Sequence, residues 1–188
     1  MLHGILHYAH YLLEATLEKN ETVIDATCGN GNDTLFLSNV VGDNGHVFAF
    51  DIQTEAIQAT RQKLIENGKT NVTVIHDSHA NLKKYLPSND ILLGGAVFNL
   101  GYLPRSDKTV ITKAESTIKA IDTILHFLKP NGIIVLVVYH GHKGGKEEKK
   151  AILKHVIRLN QRRYHVLQYG FINQKNNPPF IIAIQKRA

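Results

Sequence analysis

Apolar positions in this chain switch between a helical and an extended period, and each switch marks an element. Residues 3–18 carry Ile5, Leu6, Ala9, Leu12, Leu13 and Leu17 as one stripe, which predicts an amphipathic helix. The β-branched run Thr22–Ala26 predicts a first strand, followed by a glycine loop and a helix from about Asp33 to Val40. After the turn cluster Gly42-Asp43-Asn44-Gly45, His46–Phe50 reads as the second strand, ending at Asp51. Ala56, Ile57, Ala59, Leu64 and Ile65 give a helix over Thr54–Asn67, closed by Gly68. Val72–His76 is a third strand, and a short helical piece then runs to Leu86, with Pro87 as a breaker. Asp90–Phe98 is apolar nearly throughout, as in a strand covered on both faces. A helix over 112–128 is expected to stop at Lys129-Pro130-Asn131-Gly132, before a fifth strand at Ile133–Tyr139. A basic helix from Lys146 to Gln161 precedes two close strands, His165–Ile172 and Phe180–Gln185.

Five strands alternating with helices imply a parallel sheet with right-handed crossovers. The last two strands have no helix between them, so they should form an antiparallel hairpin on the sheet edge. The expected fold class is α/β, a doubly wound, Rossmann-like sheet of seven strands whose strand-end loops share one rim.

The 188 residues fit one domain, 1–188. No apolar run approaches the roughly 20 residues of a membrane span, and the N-terminus lacks a basic-then-apolar signal pattern. A single cysteine, Cys28, points to a reducing, cytoplasmic setting. The net charge of +6 and a pI near 9.4 suit a polyanion partner such as nucleic acid, and equally a plainly solvated basic surface. His3, His7 and His10 lie one turn apart on the first helix, but no carboxylate or cysteine joins them, so no metal is expected.

The chemistry concentrates in Val23–Leu37, where a strand, two glycines and a helix follow one another. Gly29 and Gly31 can take positive φ, and the helix start offers unpaired N–H groups. A dinucleotide loop wants a third small residue three positions after the second glycine, but Thr34 stands there. Asp25, ending the first strand, would repel a pyrophosphate and attract an ammonium. Asp51 ends the second strand, 20 residues after Gly31, where a carboxylate can bind both ribose hydroxyls. Asp77 ends the third, where an acid can read an adenine amino group. Any one of these acids could be a turn or cap residue. Together they describe an amino-acid head, a ribose and an adenine, which is S-adenosylmethionine.

From Asp25–Gly31 through Phe-Asp51-Ile and His76-Asp77 to the terminal hairpin, the chain resembles a class I S-adenosylmethionine-dependent methyltransferase. The segments Asp-Ala-Thr-Cys-Gly-Asn-Gly-Asn-Asp-Thr, Phe-Asn-Leu-Gly-Tyr-Leu-Pro and Tyr-His-Gly-His-Lys-Gly-Gly-Lys-Glu-Glu together resemble a small bacterial family labelled rRNA methylases. That family includes the tRNA wobble-uridine enzyme that N-methylates 5-aminomethyl-2-thiouridine. The resemblance implies strand order 3-2-1-4-5-7-6. It also implies cofactor contacts from Asp25, Thr27, Gly29, Asn30, Gly31, Asn32, Asp33, Thr34, Asp51, Gln53, Asp77, Ser78, His79 and Asn99.

The loop Asn99-Leu100-Gly101-Tyr102 resembles the Asn-Pro-Pro-Tyr loop of amino-group methyltransferases, with Leu-Gly in place of Pro-Pro. There the polar side chain and the next carbonyl, here Asn99 and Leu100, accept hydrogen bonds from the target amine, and the aromatic, here Tyr102, packs on the base. His140 and His142 are candidates to accept a proton or to contact phosphate. Tyr139 is expected in the core, and Glu147 and Glu148 as first-turn helix acids. The expected partner is tRNA, through its anticodon stem-loop. Arg105, Lys108, Lys113, Lys143, Lys146, Arg162 and Arg163 are expected on or beside the catalytic rim, with Tyr8 and Tyr11 for stacking. A second subunit in a homodimer could extend that rim.

Three rivals stay open. The same cofactor could serve an rRNA or a small molecule. An NAD-dependent oxidoreductase is disfavoured by Asp25 and Thr34. A non-catalytic nucleic-acid-binding module is disfavoured by the intact set Asp25, Gly29, Gly31, Asp51, Asp77 and Asn99.

Overall fold

A computed structural model describes residues 1–101, 112–142 and 144–188. Its strands are β1 (Thr22–Asp25), β2 (His46–Asp51), β3 (Val72–His76), β4 (Leu93–Leu100), β5 (Leu128–Val138), β6 (Tyr164–Tyr169) and β7 (Phe180–Lys186). Its helices are α1 (Ile5–Thr16), α2 (Asn32–Val41), α3 (Thr54–Glu66), α4 (Ala114–Phe127) and α5 (Gly145–Val156), with a 3₁₀ segment at His79–Lys84. The strands form one sheet in the order β3-β2-β1-β4-β5-β7-β6. β1 to β5 pair in parallel, while β7 runs antiparallel to both β5 and β6. Both the expected sheet order and the edge hairpin are present.

Side-chain alternation divides the core into two layers. Val97 and the β5 residues Ile133, Val135 and Val137 pack with Ala9 and Leu13 of α1 and Leu37 of α2. Their neighbours Phe98, Ile134, Leu136 and Val138 pack on the other side with α4 and with Ile152 of α5. A strand covered on both faces has few polar positions to spare, which is why Leu93–Phe98 and Ile133–Val138 read as apolar runs.

Several boundaries differ from the sequence pattern: α5 stops at Val156 rather than Gln161, β4 spans Leu93–Leu100 rather than Asp90–Phe98, and the start of β5 shifts for a structural reason. Lys129-Pro130-Asn131-Gly132 does not separate α4 from a later strand; β5 starts at Leu128, immediately after the helix. Leu93 pairs with Leu128 and Gly95 with Ile133, so the four residues are accommodated as an irregularity in the ladder, with Asn131 at φ 63°. The end of β7 fixes this bulge: Lys186 Nζ donates to the Leu128 carbonyl at 2.6 Å and Gln185 Nε2 to the Asn131 carbonyl at 3.2 Å. These contacts are remote in sequence, and local turn chemistry cannot announce them.

Among the described residues, no helix is long and apolar enough to cross a membrane.

Candidate active site

The alternation that sorts the core also aims the polar residues at the strand ends. Val23, Val47, Val97 and Val137 face the α1/α2 layer. Asp25, Asp51, Asn99 and Tyr139, an even number of positions further on, therefore leave their strands toward the same layer.

Asp25 is completely buried. Its carboxylate accepts the Thr34 hydroxyl at 2.6 Å and the Thr27 N–H at 3.2 Å. Burial, reinforced by the charge of Asp33, pushes its pKa up to about 7. The expectation that Asp25 and Thr34 face a ligand is corrected here, because both side chains lie wholly beneath the loop and fasten β1 to α2. A fully enclosed carboxylate offers no surface to an incoming ammonium.

The glycines take the positive φ the sequence suggested, 49° at Gly29 and 75° at Gly31. Gly29 N–H donates to Asp51 at 3.0 Å, and Gln53 N–H donates to the other Asp51 oxygen at 3.0 Å. Asp51 is thus half-exposed and already oriented by two backbone donors. Gly31 serves packing rather than ligand approach: a Cβ there would stand 2.9 Å from Thr60 Cα on α3. Thr60 in turn donates its hydroxyl to the Gly29 carbonyl at 3.1 Å. Asn30 and Asn32 are exposed on the loop, where Asn32 accepts a hydrogen bond from Lys63.

After β3, Asp77 accepts the Ser78 N–H at 2.7 Å, Asn81 Nδ2 at 2.9 Å and the Tyr85 hydroxyl at 2.7 Å. The Asn81 and Tyr85 bonds hold its carboxyl below the usual carboxylate range. Ser78 caps the 3₁₀ segment by accepting Ala80 N–H at 3.2 Å. The buried His79 donates Nδ1–H to the Ala26 carbonyl at 2.8 Å, and burial lowers its pKa, which favours the neutral ring. Its Nε2 is then an enclosed acceptor with no hydrogen-bond partner among the described residues.

Asn99 occupies the end of β4. Its N–H donates to Thr27 Oγ1 at 2.7 Å, and its side-chain amide donates to Asp33. The other Asp33 oxygen meets His10 Nε2 at 2.6 Å. The His10 ring stacks on Phe36 of α2, with centroids 3.9 Å apart and planes 5° from parallel. α1, α2 and β4 thus meet at Asp33, and Asn99 ties in the loop after β1 through Thr27. Sequence reasoning missed His10 as a site residue: helical spacing placed it on a face with His3 and His7, but no local pattern could pair it with Asp33.

Leu100 has its side chain in the core, and its carbonyl accepts Tyr139 N–H at 3.0 Å. Tyr102 lies outside the described residues, as do Arg105, Lys108 and Lys143. Tyr139 is not the core residue expected; at 36% exposure it lines a cavity of about 430 Å³ with Ile5, His7, Phe171 and Pro179. Burial, helped by the charge of Asp33, raises its hydroxyl pKa.

The two histidines after β5 separate. His140 is 8% exposed and tilted against Phe180, which belongs to the α4/α5 layer. Burial first, then the Lys149 charge, lowers its pKa. The ring is nearly enclosed against Phe180, which leaves it little surface for the expected base or phosphate contact. His142 instead donates Nε2–H to the Tyr139 carbonyl at 2.9 Å and stands beside Gly101.

Glu148 is a first-turn acid of α5, as expected, but its carboxylate is turned inward. It is 4% exposed and accepts the hydroxyls of Thr112 at 2.8 Å and Thr117 at 3.3 Å.

The basic residues divide by position. Lys146 is exposed at the start of α5, on the rim where β5 ends, and Lys113 is exposed at the start of α4. Arg162 and Arg163 precede β6, whose first residue, Tyr164, pairs with Lys186 near the beginning of β5. They therefore lie on the opposite rim, which corrects their expected placement; α5 carries the chain across the sheet before they occur. Tyr11 is 51% exposed, whereas Tyr8 packs on Tyr169 with centroids 4.0 Å apart. No group of three or more His, Cys, Asp or Glu placed to hold a metal occurs among the described residues.

A family model described as Putative rRNA methylase matches residues 47–185. The chloroplastic tRNA (mnm(5)s(2)U34)-methyltransferase of Arabidopsis thaliana is 40% identical over 153 residues, covering 77% of this chain but only 56% of that relative. A crystal structure described as a putative rRNA-methylase from Clostridium thermocellum matches with a TM-score of 0.95 and 41% identity over 99% of both chains. A putative methyltransferase from Streptococcus mutans, in complex with SAH, matches with a TM-score of 0.90 and 40% identity, again over 99% of both chains.

Proposed function

The chain belongs to the Putative rRNA methylase family of class I S-adenosylmethionine-dependent methyltransferases, and from that premise we propose that it N-methylates the aminomethyl group of 5-aminomethyl-2-thiouridine at the tRNA wobble position. The observation that carries this reading is an amide acceptor, Asn99, ending β4 beside a carboxylate, on the rim where the loops of β1, β2 and β3 also open. The 40% identity to a plant enzyme named for that modification supports the same acceptor.

The residues present fit the cofactor. Asp51 is half-exposed and preset by Gly29 and Gln53 for a ribose diol. Asp77 keeps a half-exposed carboxylate for an adenine amino group, and His79 Nε2 is an unsatisfied acceptor beneath the same rim. S-adenosylmethionine, when bound, supplies a methyl on a cationic sulfur, so the acceptor has to offer only an aligned lone pair.

Asn99 Oδ1 accepts one N–H of the target amine and orients its lone pair, a matter of positioning more than of acid–base power. The amine becomes positively charged as its new N–C bond forms, and Asp33 provides a negative charge beside it. The aminomethyl group must first lose a proton, which leaves to solvent, since His142 beside this loop has its Nε2–H committed to the Tyr139 carbonyl.

The decisive experiment incubates the purified protein and S-adenosylmethionine with tRNA carrying the unmethylated aminomethyl uridine, followed by nucleoside mass spectrometry. Gain of the methylaminomethyl nucleoside is expected. Modification of ribosomal RNA alone would transfer the reading to the rRNA substrate in the family's description.

A further inference from the structure

We propose that His10 is a positioning residue for methyl transfer, acting through Asp33 to fix which atom Asn99 presents to the amine. The inference rests on the functional reading above and adds to it the source of the acceptor's orientation.

An asparagine side chain can turn either its carbonyl or its NH₂ toward a substrate, and only the carbonyl can accept an amine N–H. At this site a carboxylate settles the choice. Ionised Asp33 has acceptors only, so the Asn99 group that faces it must be the Nδ2 amide, as found. Oδ1 is then turned away from Asp33. Asp33 needs orienting in its turn, because a half-buried carboxylate at the first turn of a helix can rotate. His10 Nε2, 2.6 Å from the second oxygen, pins it. The stack on Phe36 fixes the plane of the imidazole, so α1 is coupled to β4 through three side chains. None of the three is adjacent in sequence to another.

His10 makes two separable contacts, a hydrogen bond and a ring stack, and two variants divide them. His10→Phe keeps an aromatic over Phe36 and removes the donor. His10→Gln loses the ring and keeps an N–H that can reach Asp33. Steady-state kinetics with S-adenosylmethionine and the aminomethyl-uridine tRNA, together with cofactor affinity by calorimetry and melting temperature, give the readouts. His10→Phe should lower kcat by about 10–100-fold, as expected when a reacting group loses its alignment, with KM for the cofactor and the melting temperature near wild type. His10→Gln should recover most of that loss.

Wild-type turnover in His10→Phe overturns the inference, as does a loss in His10→Gln equal to that in His10→Phe. Parallel losses of kcat, cofactor affinity and melting temperature in His10→Phe would make the residue structural and also overturn it. If the wild-type protein does not methylate this tRNA, the functional reading fails instead; the same variants assayed on ribosomal RNA then test the positioning role.

Discussion

Glu148 of α5 and Thr112, 36 positions apart, are joined by a 2.8 Å hydrogen bond. Thr112 Oγ1 in turn accepts Gly101 N–H at 3.1 Å, and Thr112 N–H returns to the Gly101 carbonyl at 3.1 Å. Gly101, which follows β4, is thus tied to Thr112, two positions before α4, and one buried carboxylate fastens both to α5. Glu148→Ala should cost about 2–4 kcal/mol, because it strands the buried hydroxyl of Thr117 and the half-buried one of Thr112. Urea unfolding measures the cost, and Glu148→Gln, which keeps an acceptor oxygen, should lose less. An alanine variant as stable as wild type would show that these bonds contribute nothing net.

Gly31 and Gly68 provide a matched pair of tests. Both have positive φ, 75° and 61°, but a Cβ at Gly31 meets Thr60 Cα at 2.9 Å, while one at Gly68 meets nothing within 4 Å. Gly68→Ala should cost about 1 kcal/mol, the backbone penalty alone. Gly31→Ala adds displacement of α3 and should cost at least about 2 kcal/mol, with a larger loss of cofactor affinity. Equal costs would show that the α2–α3 contact yields without strain.

Asp25 gives the folded state a pH dependence of definite sign. Its carboxyl, ordinarily near 3.8, is raised to about 7 by burial. The folded protein therefore holds a proton that the unfolded chain releases between these values. The contribution to stability is fully present below pH 3.8 and is lost as pH rises to about 7, at no more than about 1.4 kcal/mol per pH unit. Asp25→Asn, which keeps an acceptor for Thr34 without a titrating group, should flatten the stability profile across this window. Denaturation midpoints of the two proteins at pH 5 and pH 7.5 make the comparison; an unchanged difference would mean that Asp25 does not titrate there.

The sheet was legible from the sequence because its information is local: period-two runs, glycine loops and helical stripes each occupy fewer than twenty residues. The strand-end acids were legible for the same reason. What escaped was tertiary. Lys129-Pro130-Asn131-Gly132 has the chemistry of a turn, yet Gln185 and Lys186 hold it within the sheet. Asp25 and Asp51 look equivalent in sequence, and only burial shows that the first fastens the loop while the second faces the rim. His10 and Glu148 could be placed on their helices but not paired, because their partners, Asp33 and Thr112, lie 23 and 36 positions away.

Asp51 and Asn99 should separate cofactor binding from transfer. Asp51 orients the Gly29 and Gln53 N–H groups and offers its free edge to the ribose, so Asp51→Ala should weaken S-adenosylmethionine binding at least about tenfold by calorimetry, roughly the loss of one charge-assisted hydrogen bond. Asn99→Ala should leave that affinity within a small factor and lower kcat about 100-fold, since it removes the acceptor that aligns the amine. Equal effects of Asn99→Ala on affinity and turnover would make it a binding residue alone.

The division of the basic residues between two rims makes the RNA surface testable without a complex. Lys146 stands on the rim shared with Asn99, whereas Arg162 and Arg163 lie at the far end of the sheet. A phosphate contact from Lys146 would weaken with salt, and its removal should lower the salt slope of tRNA binding by about one unit. Lys146→Ala should therefore bind tRNA more weakly at every salt concentration, with the difference shrinking as salt rises. Arg162→Ala/Arg163→Ala removes twice the charge, yet from the wrong face, and should keep an affinity near wild type. If the double variant loses more affinity than Lys146→Ala, the RNA must wrap from the catalytic rim to the opposite edge, and the number of phosphates contacted will exceed what one rim can hold.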